Sequence, residues 1–392
     1  MTDSATPRRS LPKADPDGLI AAVLLAFMAT AGLFYVNIMP ALVSGLQDGL
    51  GFTARDAGLV AALNVYGAAG GAFAAVFVVD RISWKPVALG LLSALIAIDL
   101  ISTQLTLAPV LMAVRFGHGL VGGFLVGIAF AVIARTKAPD RTFGMLLVVQ
   151  FGLGGVGLLF LPGLVPRFGT PVLFLALAAF SATAAAMLPF LSDYPPRSRS
   201  AEAVAARGLV RWVPLAAALV AVFMFQAANM ALSAFVIDLG RAYGLAQPFI
   251  SATLATANWI GALGSVLVVM IGLRFGRLKP IALGAVLTVL GALAFLRSDL
   301  AGMYVLANIV TSVVWAFVIP YLLGLCAAFD PGGRIATLAG FFSKLGLASG
   351  PALGAVLLQE THFPRLVTLA VIGLCLSAAF ALVPARALDR ST

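Results

Sequence analysis

The sequence is short of acid, histidine and cysteine. Of its 392 residues only 15 are aspartate or glutamate, 2 are histidine and 2 are cysteine, and charged residues make up 10%. A soluble domain carries about 25% charged residues, so an ordinary water-soluble surface is excluded. The two cysteines, Cys326 and Cys375, both fall in apolar runs. That placement excludes a disulfide framework and makes them small apolar core residues. No His/Cys/Asp cluster has metal-ligand spacing, and there is no serine–histidine pair or phosphate loop. Gly119–Gly127, GLVGGFLVG, is not a dinucleotide loop, because it lies mid-run with no strand before it. Neither an enzyme nor a bound metal or cofactor is expected. The longest loop has about twenty residues, too few for a receptor's output domain.

What is abundant is apolar sequence, at 61% hydrophobic residues. Apolar stretches of about twenty residues recur, each long enough to cross a hydrocarbon core of roughly 30 Å. Twelve spans are expected, at 19–46, 56–79, 86–105, 108–134, 142–165, 170–191, 212–238, 247–273, 280–297, 300–328, 334–358 and 364–385. No small-residue cleavage site follows a short apolar core, so the first span is expected to be retained. The net charge of +10 is spread over short loops without interleaved aromatics. It marks a membrane topology, not a nucleic-acid surface.

The chain repeats itself at an offset of 194 residues. Lys85-Pro86 falls on Lys279-Pro280, and Ala88-Leu89-Gly90 on Ala282-Leu283-Gly284. The same shift carries Asn64, Gly67 and Gly70 onto Asn258, Gly261 and Gly264. Two copies of one unit follow, and the fold must be read from the repeat. The expected organisation is an N-terminal tail, 1–18, a six-helix bundle, 19–191, a linker, 192–211, a second six-helix bundle, 212–385, and a C-terminal tail, 386–392. Eighteen of the 25 lysines and arginines fall on the side of the termini and linker, and five on the other. Both termini are therefore expected in the cytoplasm of a multi-pass protein of a bacterial inner membrane. Six spans return the chain to its starting side, so the halves are parallel repeats about an axis along the membrane normal. No obligate oligomer is implied, and a monomer is expected.

Two turn motifs and a span motif carry a family resemblance. Val76–Lys85 reads VFVVDRISWK, where Asp80, Arg81 and Lys85 match the motif Gly-x-x-x-Asp-Arg-x-Gly-Arg-Arg/Lys. The second copy keeps Gly276-Arg277 and Lys279, with Arg274 where the aspartate would stand. Arg115–Gly123, RFGHGLVGG, resembles a fourth-span motif beginning Arg-x-x-Gln, with His118 at the glutamine. Over essentially its whole membrane-embedded length the chain resembles the major facilitator superfamily. The resemblance implies twelve helices in two pseudo-symmetric bundles and transport by alternating access. It implies that Arg115 serves proton coupling, and that Asp80, Arg81, Lys85, Arg277 and Lys279 gate the basic side. Gly346–Gly354, GLASGPALG, resembles a motif that drug antiporters carry in span five, but it lies here in span eleven.

Charges inside hydrocarbon cost at least ~2.5 kcal/mol each and mark a pathway or a paired partner. Lys344 lies near the midplane, and the offset pairs it with Gln150. It reads as a substrate-binding ammonium, or else as a structural donor to helix ends. Arg115 and His118 sit at i and i+3 on one face. His118 suits a proton relay or is a satisfied core histidine. Asp99 lies at the depth of Arg115, either as its structural partner or in the relay. Tyr35, Asn37, Gln226, Asn229 and Trp315 complete a possible substrate surface, and Asn64, Asn258, Trp259 and Asn308 are further polar groups. Two intramembrane cations and no midplane acid point to a small amphipathic or aromatic organic anion, moved with protons. The alternative is a proton-driven efflux antiporter for neutral or cationic amphiphiles, for which only Asp99 could serve.

Overall fold

The computed structural model describes residues 12–79, 81–137, 139–195, 211–329, 336–358 and 363–390, with the side chains of Asp140, Ala336 and Thr337 left aside. Every regular element among them is helical. Eleven helices are long and apolar enough to cross a membrane. In chain order they are span two (Ala54–Val78), three (Trp84–Ser102), four (Ala108–Ala134), five (Pro139–Phe168), six (Pro171–Met187), seven (Trp212–Ala234), eight (Gln247–Ile271), nine (Leu278–Ala294), ten (Ala301–Ala328), eleven (Ala336–Leu357) and twelve (Phe363–Asp389).

Span one departs from the expected continuous helix. It is three pieces, Leu19–Ala31, Phe34–Asn37 and Met39–Leu50. Pro40 explains the second break. It has no N–H, and its ring excludes the carbonyl four residues back. The chain turns at Ile38 and restarts with the proline in the first helical turn. Gly51 then ends the last piece in the left-handed conformation at φ 67°, and Thr53 starts span two by accepting the Asp56 N–H. Span seven also breaks, at Phe235 and without a proline, and Val236–Ala242 continues it.

Packing repeats with the sequence. Span four lies against span two as ten lies against eight. Spans one and five pair as seven and eleven do, and spans three and six as nine and twelve do. Two six-helix bundles result, joined chiefly where span two meets eleven and span five meets eight. Small residues make the closest contacts. A Cβ on Gly119 or Gly123 would run into the span-two backbone at Asn64 and Ala68, and one on Gly71 into Leu120. Without a hydrophobic drive between helices in lipid, such backbone contact supplies the packing energy. Gly346 and Gly350 do the same for span eleven against the span-seven backbone, and Gly354 makes room for the Phe235 ring. The Gly-Pro motif there is accounted for as helix packing.

Candidate functional site: the cavity between the two halves

A cavity lies between the bundles. Residues of both halves line it. Asn37 and Gln150 come from the first half, and Asn229, Asn258, Asn308 and Trp315 from the second. Asn37 reaches it because span one breaks there. Irregular backbone at membrane depth is tolerated where it borders a cavity. Bare glycine backbone in span five lets span eight approach. The Trp259 indole N–H donates to Gly152 O at 3.0 Å, and Asn258 donates to Phe151 O at 3.0 Å. Phe151 itself was not anticipated in the cavity wall, nor were Ser233, Thr311 and Ser312.

Of the residues expected to bind substrate, Asn37, Gln150, Asn229 and Trp315 line this cavity. Gln226 stands behind it. Its amide oxygen accepts the Trp315 indole N–H at 2.7 Å, and its Nε2 donates to Ser343 at 2.8 Å. This pair of bonds fixes the plane of Trp315. Lys344, next to Ser343, is partly buried and pairs with no described residue. Leu353, 47% exposed to the surroundings, lies nine residues on. At about 100° per residue that is the opposite face, so Lys344 points inward, away from lipid. Gly340, one turn before it, has no atom within 4 Å of a Cβ built there, so this face borders open space.

Arg115, His118 and Tyr35 lie elsewhere, in a closed network inside the first half. Arg115 and Asp99 are both fully buried, with Nη1 2.7 Å from Oδ1. Arg115 also donates to Ile98 O at 3.2 Å and to Ser102, and its guanidinium covers the Phe174 ring at 4.8 Å. His118 Nε2 lies 3.3 Å from the same Asp99 oxygen. Asn64 Nδ2 is 2.9 Å from His118 Nδ1 and 3.0 Å from Arg115 O. Because an amide nitrogen only donates, Nδ1 accepts and Nε2 carries the hydrogen toward Asp99. Tyr35 sits beside this cluster, its ring centre 6.1 Å from that of His118.

The side opposite the basic loops carries a latch. Arg241 donates two parallel bonds, 2.9 and 2.8 Å, to the Asp48 carboxylate. Gln47 donates to Asp238 at 2.7 Å. These contacts join the end of span one to the end of span seven, across the halves. They were not anticipated, although the 194-residue offset that relates Gln47 to Arg241 was legible. Tyr66 and Ser349, 2.8 Å apart, cross the interface at mid-depth. On the basic side the described contact between halves is aromatic, Phe73 against Phe341 with centroids 5.5 Å apart.

The expected gating residues engage their own halves. Asp80 lies outside the described residues, and Arg81 and Lys279 are exposed. Lys85 pairs with Asp193 at 2.7 Å, and Lys13 joins from the N-terminal segment at 3.1 Å. The two ammonium groups, Lys85 foremost, hold the Asp193 carboxyl below its ordinary range. In the second half the Asp389 carboxylate accepts the backbone N–H groups of Arg277 and Leu278 at 2.8–3.0 Å. It caps the start of span nine, where the helix dipole favours an anion. Gly276, at φ 70°, leaves room that a Cβ would deny to Asp389.

A family model for the Major Facilitator Superfamily matches residues 19–231. The chain belongs to that superfamily. It is a non-enzymatic transporter of the secondary kind, and its substrates are small molecules. No curated protein sequence matches it. Among solved structures it is similar to the peptide transporter POT, with a TM-score of 0.71 at 14% identity over 96% of this chain and 97% of that one. It is similar to the nucleoside transporter NupG, at 0.68 and 16% identity over 95% and 98%. A bacterial homologue of the human lysosomal transporter Spinster, in an inward-facing and unoccupied conformation, gives 0.67 at 14% over 95% and 96%. At these identities the likeness carries the fold.

Proposed function

We propose that this superfamily member moves a small amphipathic or aromatic organic anion by alternating access, coupled to protons. The observation that carries the reading is Lys344, a cation at mid-depth that faces inward and pairs with no described residue. An unpaired ammonium in hydrocarbon costs several kcal/mol unless a ligand or water answers it, and a carboxylate would do so. Trp315 and Phe151, packed edge to face with ring centres 6.3 Å apart, supply an aromatic corner for the rest of the molecule. The only described acid deep within a span, Asp99, already faces Arg115 and His118. It is therefore not free to hold a cationic drug. His118, bridging Asn64 and Asp99, is the proton site of this reading and acts inside the first half, not on the substrate. The bundles 19–191 and 212–385, joined by the linker 192–211, rock as monomeric units in a bacterial inner membrane. The tails 1–18 and 386–392 lie in the cytoplasm, following the lysine and arginine asymmetry.

The test is uptake of labelled 3-phenylpropionate into proteoliposomes, with and without a pH gradient. Lys344→Gln is expected to cut uptake at least tenfold, while Lys344→Arg retains part of it. His118→Gln is expected to leave binding intact and remove the response to the gradient. Uptake that is indifferent to Lys344→Gln would sink the anion reading.

A further inference from the structure

The cavity wall carries an unusual set of acceptors. Asn229 Nδ2 donates to Phe225 O at 2.8 Å, and Asn308 Nδ2 to Tyr304 O at 2.8 Å. Asn258 Nδ2 donates to Phe151 O at 3.0 Å, and Asn37 Nδ2 to Gln150 O at 3.4 Å. In all four the partner is a main-chain carbonyl, which can only accept. The nitrogen end of each amide is thereby fixed, and no flipped assignment would satisfy the bond. Each amide oxygen, with two lone pairs, is left without a partner among the described residues. Asn229 and Asn308 are 9% and 5% exposed, and both line the cavity. Turning the nitrogen back onto its own helix turns the oxygen the other way.

None of these oxygens is sealed off from the open space of the cavity, so a ligand that brings donors can reach and answer them. We infer that Asn37, Asn229, Asn258 and Asn308 form a carbonyl cradle for an ammonium or other N–H-bearing group of the substrate. The substrate is then an amino acid-like zwitterion with an aromatic or apolar body. Its donor end lies in the cradle and its carboxylate points toward Lys344, which stands outside the lining of this cavity. Four neutral carbonyls suit an ammonium, since they solvate the charge without placing a carboxylate in the cavity. Only the anionic end of this inference rests on the reading proposed above.

Three probes share a ring and a two-carbon chain and separate the two ends: 3-phenylpropionate, L-phenylalanine and 2-phenylethylamine. Their effect on the melting temperature of the purified full chain is measured across a concentration series. L-phenylalanine is expected to bind about tenfold more tightly than 3-phenylpropionate, the scale of one charge-assisted hydrogen bond. Asn229→Leu with Asn308→Leu is expected to erase that ratio and leave 3-phenylpropionate binding in place. Asn229→Asp keeps the shape and strengthens the acceptor. It is expected to raise 2-phenylethylamine affinity and lower that of 3-phenylpropionate, a gain that misfolding cannot imitate. Equal binding of the two acids, unmoved by either asparagine variant, overturns the cradle while the anion reading stands. Binding of the amine alone, insensitive to Lys344→Gln but lost in the double leucine variant, overturns the anion reading and leaves the cradle. No shift from any probe overturns both.

Discussion

At the scale of the residue, the membrane interior separates two kinds of charge. Lys344 faces inward and pairs with no described residue, whereas Arg115 and Asp99, both fully buried, meet at 2.7 Å and leave Arg115 Nε and Asp99 Oδ2 without a partner among the described residues. Removing one partner of such a pair leaves an uncompensated charge and costs about 3–5 kcal/mol, while replacing both by apolar groups is often close to neutral. Arg115→Leu is therefore expected to lower the melting temperature of the purified protein sharply. The double change Arg115→Leu with Asp99→Leu is expected to recover most of that loss, read as the half-life on heating in detergent. If the double variant is as unstable as the single one, packing of Arg115 on Phe174 matters more than its charge. The pairing of Arg115 with Asp99 was legible, because the residues flank one hairpin at matching depth. That Asn64 holds the other nitrogen of His118, turning Nε2 onto Asp99, was not, because it depends on how span two is rotated against span four.

At the scale of the element, the two repeat turns share a device that their sequences conceal. Asp193, after span six, meets the turn before span three, and Asp389, ending span twelve, meets the turn before span nine. The second turn has lost its own aspartate, and Asp389 supplies a carboxylate there. In the first turn the N-terminal segment adds a strap. Ala14 N–H donates to Phe190 O at 2.8 Å, and Tyr194 OH to Pro16 O at 2.9 Å. Lysines 13 and 85 hold the Asp193 carboxyl below its ordinary range. A lowered folded value means the stabilisation is fully present above the unfolded value, about 3.9, and is lost as pH falls through the lower folded value. Because Asp193 is 71% exposed the contribution is small. The fluorescence of Trp84, buried against Tyr194, is expected to stay constant from about pH 8 to 5. It is expected to shift red only once the pH falls below the ordinary carboxylate range. Asp193→Asn is expected to show the shifted emission at neutral pH, with Trp84→Phe as the control that isolates the signal.

At the scale of the whole molecule, the described polar contacts between the halves run from mid-depth to the side away from the basic loops. The Asp48–Arg241 fork and the Gln47–Asp238 bond close that side. A bidentate arginine–carboxylate pair is geometrically specific, so it defines one facing state, and alternating access requires it to break. Arg241→Gln is expected to shift the population toward opening on that side. Ser233→Cys, at the cavity wall, reports it when Cys326 and Cys375 are replaced by alanine. Its labelling by a membrane-impermeant thiol reagent applied from that side is expected to rise several-fold with Arg241→Gln. Unchanged labelling would mean that the packing of span two against span eleven, not the ion pair, sets the state.

The sequence by itself determined the spans, the repeat and the two-bundle architecture. These follow from hydrophobic length and an internal offset, which are local or additive along the chain. It also placed the few intramembrane charges, because each is costly enough to stand out in an apolar run. The break in span one was written in Pro40 but masked by the continuous apolar run around it. Tertiary structure alone decided which polar groups share a space. Helix rotation put Asn258 and Asn308 on the cavity and Arg115 and Tyr35 off it. The rise from one residue to the next fixes depth in the membrane. Azimuth is fixed by where glycine backbones let two helices touch, and that is settled between helices far apart in sequence.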